Sequence, residues 1–510
     1  MAESIETEYR LIKHRRRVSI IAAKARRFAR DGIKYRVYHK TTNSFRPSTR
    51  QANEIIDISG LNHVITVDHR RRRAAVEPNV SMGSLVTATL KHGLIPAVVP
   101  EFLGITVGGA FSGTALESSS FRYGHFEKSV ASLEVILGNG NIVIASPVEN
   151  SDLFSGLAGS CGTLGICTII EVKLVPARRF VELNYLPVHS AAQALNTIQS
   201  YTADTSPADF VDGMMFGPND GAIIAGIMTD EKKQDMPVVR FSRAHDQWFA
   251  LHVHESVPHV RGTNCMLCTL SKSRSVDKRG IVTDLVPIKD YLFRYNRASF
   301  WMGIYGQNPA TFNGLTRFLL NPTVKAECIF AGIHHSRQNR IMFFQDITLP
   351  GNTAAAFLDW VNDNLGIYPL WICPVRVVPG NRNRQHYHNM NVNVRLWGPK
   401  TIRGPDDIPD RDDPEAFARF IRDNKMIEQA TRDLGGTKVV YGNNYYTEEE
   451  FWRIYNKKFY DDLRDKWGAA GLPSLWDKLG NPNPTYEEQP SSSKVVMKTL
   501  LKRDYLLKKK

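Results

Sequence analysis

The sequence is short of the features that mark membrane-spanning, secreted and metal-binding chains. It has no apolar run of the ~20 residues that a helix needs to span a bilayer, and its start, MAESIETEYRLIKHRRR, lacks the apolar centre of a secretory signal. Cysteine is scarce: the chain has six in 510 residues, and the pair Cys265 and Cys268 has no second pair at zinc-binding spacing. We therefore expect reduced thiols, no metal site and a cytoplasmic location.

Two common phosphate-binding signatures are missing from the glycine-bearing stretch TVGGAFSGTALESSS at 106–120. It is neither a P-loop, G-x-x-x-x-G-K-[ST], nor the dinucleotide fingerprint G-x-G-x-x-G. It does contain three glycines among serines and threonines, with no charged residue before Glu117. Glycine lets a ligand approach the backbone, and successive main-chain N–H groups attract anions. The stretch therefore predicts a pyrophosphate site, with a plain surface loop as the alternative.

The net charge of +14 is concentrated at the two ends of the chain. Residues 10–40 hold twelve Lys or Arg against one acid, and residues 494–510 hold seven against one, so the rest is close to neutral. This distribution disfavours a nucleic-acid groove and indicates two basic surface segments. Both segments are amphipathic, so they could rest on an anionic membrane surface; the alternative is that the first packs on the body as a helix and the tail is solvated. In the first segment the apolar positions are Val18, Ile21, Ala22, Ala25, Phe28 and Ala29.

Short strands and helices alternate along the chain and predict an α+β protein. A helix is expected over Met82–His92 with Ser81 as its N-cap, a hairpin around the turn at 138–140, and a strand over Ile166–Leu174. Thr447 followed by Glu450 predicts a capping box. The stretch at 480–493, GNPNPTYEEQPSSS, is predicted to be a disordered linker to the basic tail.

Four motifs in order resemble the FAD-binding (PCMH-type) domain of the vanillyl-alcohol-oxidase family. They are VEPNVSMGSLVTATLKHGL, TVGGAFSGTALESSSFRYG, VASLEVILGNGNIV and SDLFSGLAGSCGTLGI, between 76 and 166. Farther along, YLFRYNRASFW, LGIYPLWICP and EEFWRIYNKKFYDDLRDKW are similar to the sterol reductases within that family. The resemblance covers roughly residues 18–480 and is weak over 185–285.

The resemblance implies a two-lobed FAD-binding domain at 14–180, an α+β cap or substrate domain at 181–430 and a segment at 431–480 that returns to the flavin, followed by the linker and tail at 481–510. Relatives often attach FAD covalently through a histidine where this chain has Asn43, so the resemblance implies non-covalent FAD; His39 and His125 are the remaining candidates. The implied FAD-binding residues are Thr42, Asn43, Ser44, Thr106, Val107, Gly108, Gly109, Gly113, Thr114, Glu117, Ser118, Gly162, Gly165 and Ile166.

The activity that the resemblance implies is reduction of a carbon–carbon double bond in the side chain of a sterol or related terpenoid, with NADPH as electron donor. Tyr441 is the candidate proton donor, and Arg297 is a candidate to hold a nicotinamide phosphate or the flavin edge. The alternatives are a flavin oxidase that uses O₂ on an alcohol or polyol, and a flavin-free scaffold. The membrane anchor of the sterol reductases has no counterpart here, so we expect at most peripheral contact with the endoplasmic reticulum.

Two further patterns point to the walls of a substrate site. RQHYHNMNVNVRLWG alternates polar residues along a predicted strand, and the polar positions are His386, His388, Asn391, Asn393 and Arg395. A cluster of aromatic residues suits an apolar substrate wall, although core packing explains it equally well. That cluster comprises Phe300, Trp301, Tyr368 and Trp371.

Overall fold

The computed structural model of the protein describes residues 2–40, 50–232, 236–257, 281–301, 313–336, 342–376, 390–399, 414–439 and 441–480, with a few short stretches beyond 494. The predicted linker, most of the basic tail, the Cys265–Cys268 pair, His386 and His388 lie outside the described residues. Within the described part of the protein, no helix combines the length and the apolar content that crossing a bilayer requires.

The first part of the chain builds an antiparallel six-stranded sheet with helices against it. Its strand order is β4-β5-β9-β7-β8, and β6 pairs with β9 as well. The predicted helix with its Ser81 cap is confirmed, because the Ser81 side chain accepts from Ser84 N, and so is the hairpin β7–β8. The elements are α1 (Ala2–Arg30), β1 (Arg36–Tyr38), β2 (Arg50–Gln51), β3 (Ile55–Asp57), β4 (Val64–Asp68), β5 (Arg73–Val76), α2 (Met82–Leu90), β6 (Leu94–Pro96), α3 (Val107–Ser112), α4 (Ser120–Tyr123), β7 (Val130–Ile136), β8 (Ile142–Ala145), α5 (Ser151–Leu157) and β9 (Ile166–Pro176).

The long helix α1 packs on this sheet through the apolar positions that the sequence marks. Val18, Ile21, Ala22, Ala25 and Phe28 are all buried in the main core. The alternative that this segment packs on the body is therefore confirmed for these side chains. The sixth marked position, Ala29, is exposed, and so are Arg27 and Arg30, whereas Arg17 and Lys24 are half-buried.

The second part of the chain builds an eight-stranded antiparallel sheet in the order β13-β10-β12-β11-β15-β16-β14-β17. Helices α6 and α11 cover one face of it, and the other face turns toward the first sheet. The α+β class is thus confirmed. The elements are β10 (Phe180–Val188), α6 (Ala191–Thr202), β11 (Phe210–Gly217), β12 (Asp220–Thr229), α7 (Phe249–Ser256), β13 (Val282–Pro287), α8 (Ile288–Leu292), α9 (Gly314–Leu320), α10 (Ala326–Ser336), β14 (Phe343–Pro350), α11 (Ala354–Asn364), β15 (Leu370–Arg376), β16 (Met390–Gly398), α12 (Pro414–Asp433) and β17 (Thr437–Lys438).

The last described part of the polypeptide returns to the first sheet. The Tyr460 hydroxyl donates to Thr163 Oγ1 at 2.7 Å, and Arg464 Nη1 donates to Thr163 O at 2.8 Å. The helix that carries them follows the predicted capping box, which is present with Thr447 and Glu450 bonded reciprocally. The elements are α13 (Glu448–Ile454), α14 (Lys457–Lys466), α15 (Leu475–Leu479) and β18 (Leu507–Lys508), which pairs with β2.

Candidate functional site

A cavity of about 260 Å³ lies where the two sheets face each other. Three parts of the protein line it: the glycine-bearing stretch with the turn at 161–167, the region of β1 and β2, and the inner face of the second sheet. Each part contributes a different chemistry, namely bare backbone, cationic side chains, and aromatic and carboxylate groups. A ligand in this cavity would touch both halves of the molecule at once.

The glycine wall contains most of the predicted FAD-binding residues. Val107, Glu117 and Ser118 lie behind this wall, while Thr42, Asn43 and Ser44 fall outside the described residues. The predicted residues that line the cavity are Thr106, Gly108, Gly109, Gly113, Thr114, Gly162, Gly165 and Ile166.

The backbone of α3 lies close to Pro78, and this explains why position 108 is a glycine. Gly108 N donates to Pro78 O at 2.8 Å, and a Cβ at Gly108 would lie 2.8 Å from Pro78 Cβ. Val107 N donates to Val80 O at 2.9 Å, and Gly109 N donates to the Thr106 hydroxyl. These N–H groups are already bonded within the protein, so this turn offers the cavity mainly space and hydroxyl groups.

Two cationic side chains and one histidine approach one end of the cavity. His39, Arg50 and Lys478 all line it, and Lys478 Nζ also donates to Cys161 O. Burial, together with the neighbouring Arg50 and Lys478, lowers the pKa of His39 to about 3, so its imidazole is neutral at pH 7. Two permanent positive charges in a half-enclosed site suit the phosphate groups of a nucleotide.

The opposite wall comes from β14 and β16, whose residues alternate between two faces. In β16, Val392, Val394 and Leu396 pack under the helices, so Arg395 and Trp397 point toward the cavity. In β14 the same alternation turns Asp346 toward the cavity, directly opposite Arg395 in the register. Asn391, Asn393 and Arg395, the described part of the polar alternation noted in the sequence, therefore lie on the inner face of this sheet.

Arg395 joins two buried carboxylates on this wall. Its Nε donates to Asp346 Oδ2 at 3.1 Å, its Nη1 donates to Glu101, and its guanidinium stacks over Trp371 with 4.1 Å to the ring centre. Trp397 Nε1 donates to Asp346 Oδ1 at 2.9 Å. Burial raises the pKa of the Asp346 carboxyl above its ordinary value, with Arg395 and the donors to it opposing the rise.

Tyr441 completes the cluster and lies in the cavity lining. Its hydroxyl donates to Asp346 Oδ2. Burial, reinforced by the Asp346 charge, raises the pKa of the Tyr441 phenol well above its ordinary value, so the phenol keeps its proton at neutral pH. The structure thus brings the predicted proton donor to the same cavity as the glycine wall; its role stays a prediction.

Arg297, the other predicted catalytic residue, lies outside the cavity lining. Its guanidinium donates to Asn321 Oδ1 and to the carbonyl oxygens of Phe241, Ala244 and Asp246, at 2.6–3.3 Å. The guanidinium that does face the cavity belongs to Arg395. A contact from Arg297 to a nicotinamide or to the flavin stays a prediction that these bonds do not favour.

Behind the glycine wall a second buried ionic cluster explains Glu117 and Ser118. Arg294 Nη2 donates to Glu117 Oε1 at 2.6 Å and to Asp212 Oδ2 at 2.8 Å, and Ser118 Oγ bonds the Tyr291 hydroxyl at 2.9 Å. Burial raises the pKa of Glu117 to about 7 against the pull of Arg294. These contacts join the two halves of the molecule beneath the cavity.

Comparison with known proteins agrees with this geometry. Residues 18–146 match the sequence model of the family described as FAD binding domain. The protein is 26% identical over 431 residues to the human protein named Delta(24)-sterol reductase, covering 82% of this chain and 76% of that one. It is 26% identical over 481 residues to the Arabidopsis thaliana protein of the same name, covering 87% and 80%. A rice protein named Cytokinin dehydrogenase 10 is 31% identical over 171 residues, 32% of this chain and 31% of that one.

Residues 18–146 thus form an FAD-binding domain, and the chain as a whole is similar to the Delta(24)-sterol reductases. FAD as cofactor and the class of FAD-dependent oxidoreductase are therefore confirmed. The residues present also suit FAD chemically, because the cations at one end of the cavity match a pyrophosphate. At the other end, Trp397, Tyr441 and Phe330 offer faces to a flat ring.

Several lining residues are not in the predicted set. Glu101, Phe102, Phe330, Asp346, Trp397 and Lys478 come from separate parts of the sequence, and none carries a motif. For Asp346 a signal existed: an acid within the apolar strand FFQDITLP needs a buried partner. The predicted aromatic wall lies elsewhere, since Phe300, Trp301 and Trp371 are buried in the core and Tyr368 packs against it, outside the lining.

Proposed function

We propose that the protein reduces an isolated carbon–carbon double bond in the side chain of a sterol or related terpenoid, with FAD as cofactor and NADPH as the source of hydride. One observation carries the proposal: a single cavity joins the glycine wall of the FAD-binding half to a phenol–carboxylate pair and an apolar wall on the other half. The sterol as substrate class follows from the names of the relatives.

FAD in this cavity would be held by the glycine wall and by the cationic end. Thr106 to Thr114 supply hydroxyls and room for the ligand, while Arg50 and Lys478 neutralise phosphate charge. When bound, FAD would supply the chemistry of hydride transfer between the nicotinamide and the alkene. At the opposite end of the cavity, Phe102, Phe330 and Trp397 would keep water away from the reacting atoms.

Tyr441 would deliver the proton that an isolated alkene requires. Such a double bond has no neighbouring group to stabilise charge, so hydride transfer to one carbon needs a positioned acid at the other. The Tyr441 phenol lies in the lining, is neutral at pH 7 and is fixed by its bond to Asp346. Arg395 in turn fixes Asp346.

The experiment that tests this function is product analysis. The FAD-loaded protein is incubated with NADPH and a sterol that has one side-chain double bond, and the products are separated by mass. We expect a product two hydrogens heavier; the same sterol with a saturated side chain is the control. Consumption of O₂ with an alcohol or polyol, and no reduced sterol, would replace this function by the oxidase alternative.

We further propose peripheral contact between α1 and an anionic membrane surface on the cytoplasmic side, such as the endoplasmic reticulum. Ile5, Tyr9 and Ile12 are exposed on one stripe of α1, with Arg15 and Arg16 exposed beside them. Flotation with vesicles tests it: binding to vesicles with anionic lipid but not to neutral ones is expected. Replacing the three apolar residues by serine should abolish this binding.

A further inference from the structure

The inner wall of the second sheet holds two carboxylates around one guanidinium. Glu101, Asp346 and Arg395 are all at most 6% exposed, and both acids accept from Arg395. Asp346 and Arg395 are paired in the register of β14 and β16, so the backbone fixes their separation. With both acids ionised the cluster would carry an uncompensated negative charge away from water, which is costly.

A buried site with two acids and one base lowers its free energy by binding a proton. The titratable groups facing this proton are Glu101, Asp346, Arg395 and Tyr441 in the cavity, with the buried Lys438–Glu428 pair on the adjoining segment. Lys438 is already engaged by Glu428, at 2.6 Å, and by Asn443 O. The positive charge next to the two acids is therefore that of Arg395.

Resting on the function proposed above, we propose that Asp346 is a positioning residue that stores a proton and passes it to Tyr441. In the protonated state the carboxylic O–H of Asp346 donates to the Tyr441 oxygen, and the phenol O–H is released toward the cavity. Trp397 Nε1 and Arg395 Nε hold the carboxyl group in place through this change.

The π bond of the alkene is broken, and two C–H bonds form, one from a hydride that originates in NADPH and one from the Tyr441 proton. The Asp346 proton moves to the Tyr441 oxygen as the phenol proton leaves, so no phenolate is left in the buried site. Solvent later returns a proton to Asp346.

The first test needs no substrate. Infrared spectra of the FAD-loaded protein are compared for the unmodified protein, Asp346→Asn and Asp290→Asn. Asp290 is a matched control, because it is buried and paired with Arg240 at 3.2 Å but does not line the cavity. Glu117 also contributes a protonated-carboxyl signal at neutral pH, so the difference between variants decides the test. We expect a protonated-carboxyl component that is lost in D346N and kept in D290N. A protonated-carboxyl signal that D346N leaves unchanged overturns the proposal.

The second test separates Asp346 from a merely structural residue. The flavin is reduced anaerobically, and its reoxidation is followed with the side-chain alkene or with ferricyanide, which needs no proton at carbon. We expect D346N to slow the alkene reaction about 100-fold, the scale of a lost acid, and to leave the ferricyanide reaction within twofold. In the unmodified protein, the rate of reoxidation by the alkene should fall as pH rises. In D346N this rate should not show that fall with pH. Asp346→Glu should recover part of the rate that D346N loses.

Each failure has its own signature. If D346N keeps the rate and the pH profile of the unmodified protein, or slows both acceptors equally, Asp346 is not a proton store. If the unmodified protein itself is not reoxidised by the alkene, the proposed function fails, while the infrared band still decides the state of Asp346.

Discussion

At position 108 the backbone of α3 passes so close to Pro78 that a side chain has no room. A Cβ there would lie 2.8 Å from Pro78 Cβ and 3.0 Å from Pro78 O, whereas a Cβ at Gly104 meets no atom within 4 Å. Gly104 lies two residues before the stretch that contains Gly108, and neither glycine is in a left-handed conformation. Neighbouring glycines therefore differ sharply in the side chains that they tolerate.

Gly108→Ala should displace α3 from Pro78 and disturb the cavity wall. We expect overpacking to lower the free energy of unfolding by about 1–3 kcal/mol, measured by urea unfolding. We also expect weaker binding of FAD, measured as the fluorescence of flavin that passes an ultrafiltration membrane. Gly104→Ala is the matched control and should change stability by less than about 0.5 kcal/mol. Equal effects from the two substitutions would show that the close approach to Pro78 is not what requires glycine.

Tyr441→Phe removes one hydroxyl from the cavity and little else. The ring still packs against Trp397, with 6.4 Å between ring centres, so the fold should be kept. We expect the amount of bound FAD and the rate of flavin bleaching by NADPH to stay within about threefold of those of the unmodified protein. Reduction of the sterol alkene should fall about 100-fold, because the acid is lost. Full sterol activity in this variant would assign the proton to another group.

At the scale of the element, α1 is held by a charged histidine. His14 Nδ1 and Nε2 lie 2.9 and 3.1 Å from carboxylate oxygens of Glu77 and Glu134, so both ring nitrogens donate. Burial acts to lower the pKa of His14, but the hydrogen bonds to Glu134 and Glu77 outweigh it and raise the pKa to about 9. The protonated imidazole thereby links α1 to β7 and to the segment that follows β5.

The sign of the resulting pH dependence follows from the raised pKa. The unfolded chain has a histidine pKa of about 6.5, so the contribution of His14 is complete below that pH and is lost as pH rises through about 9. It amounts to roughly 2–4 kcal/mol. We expect His14→Gln to lower the melting temperature most near pH 6.5 and hardly at all near pH 10. His69→Gln, at an exposed turn, is the control. If the difference in melting temperature between the unmodified protein and His14→Gln stayed constant from pH 6.5 to 10, a charged His14 would not be what holds α1.

Elements with local signals could be predicted from the sequence, and elements defined by distant partners could not. The cap at Ser81, the capping box at Thr447 and the buried face of α1 each follow from residues within one or two turns. Which side of β14 and β16 faces the cavity depends instead on the contacts that the second sheet makes with distant parts of the chain. The pairing of Asp346 with Arg395 is a matter of strand register, which no local pattern in either strand specifies.

At the scale of the whole molecule, the site exists only because the two sheets face each other. The glycine wall was predictable from its motif, since the bare backbone and the resemblance both pointed to it. The opposing wall is assembled from Glu101, Phe330, Asp346, Arg395 and Tyr441, which the fold brings together over more than 300 residues. The function therefore depends on the junction of the two halves more than on either half.

This arrangement also bears on how FAD is held. His39 lines the cavity with its pKa lowered to about 3, and His125 bonds Thr114 O through Nδ1 at 2.9 Å without lining the cavity. We expect acid precipitation to release all of the flavin into the supernatant, and His39→Ala to remain yellow. Flavin that stays with the precipitated protein, and disappears from it in His39→Ala, would show a covalent bond.

The most direct measurement is an anaerobic two-step mixing experiment on the purified, FAD-loaded protein. NADPH is added first and the flavin absorbance is followed; the side-chain alkene sterol is added next. We expect NADPH to bleach the flavin and the alkene sterol, but not its saturated counterpart, to restore the absorbance. A flavin that ignores NADPH, or that is reoxidised by O₂ and not by the alkene, would contradict it.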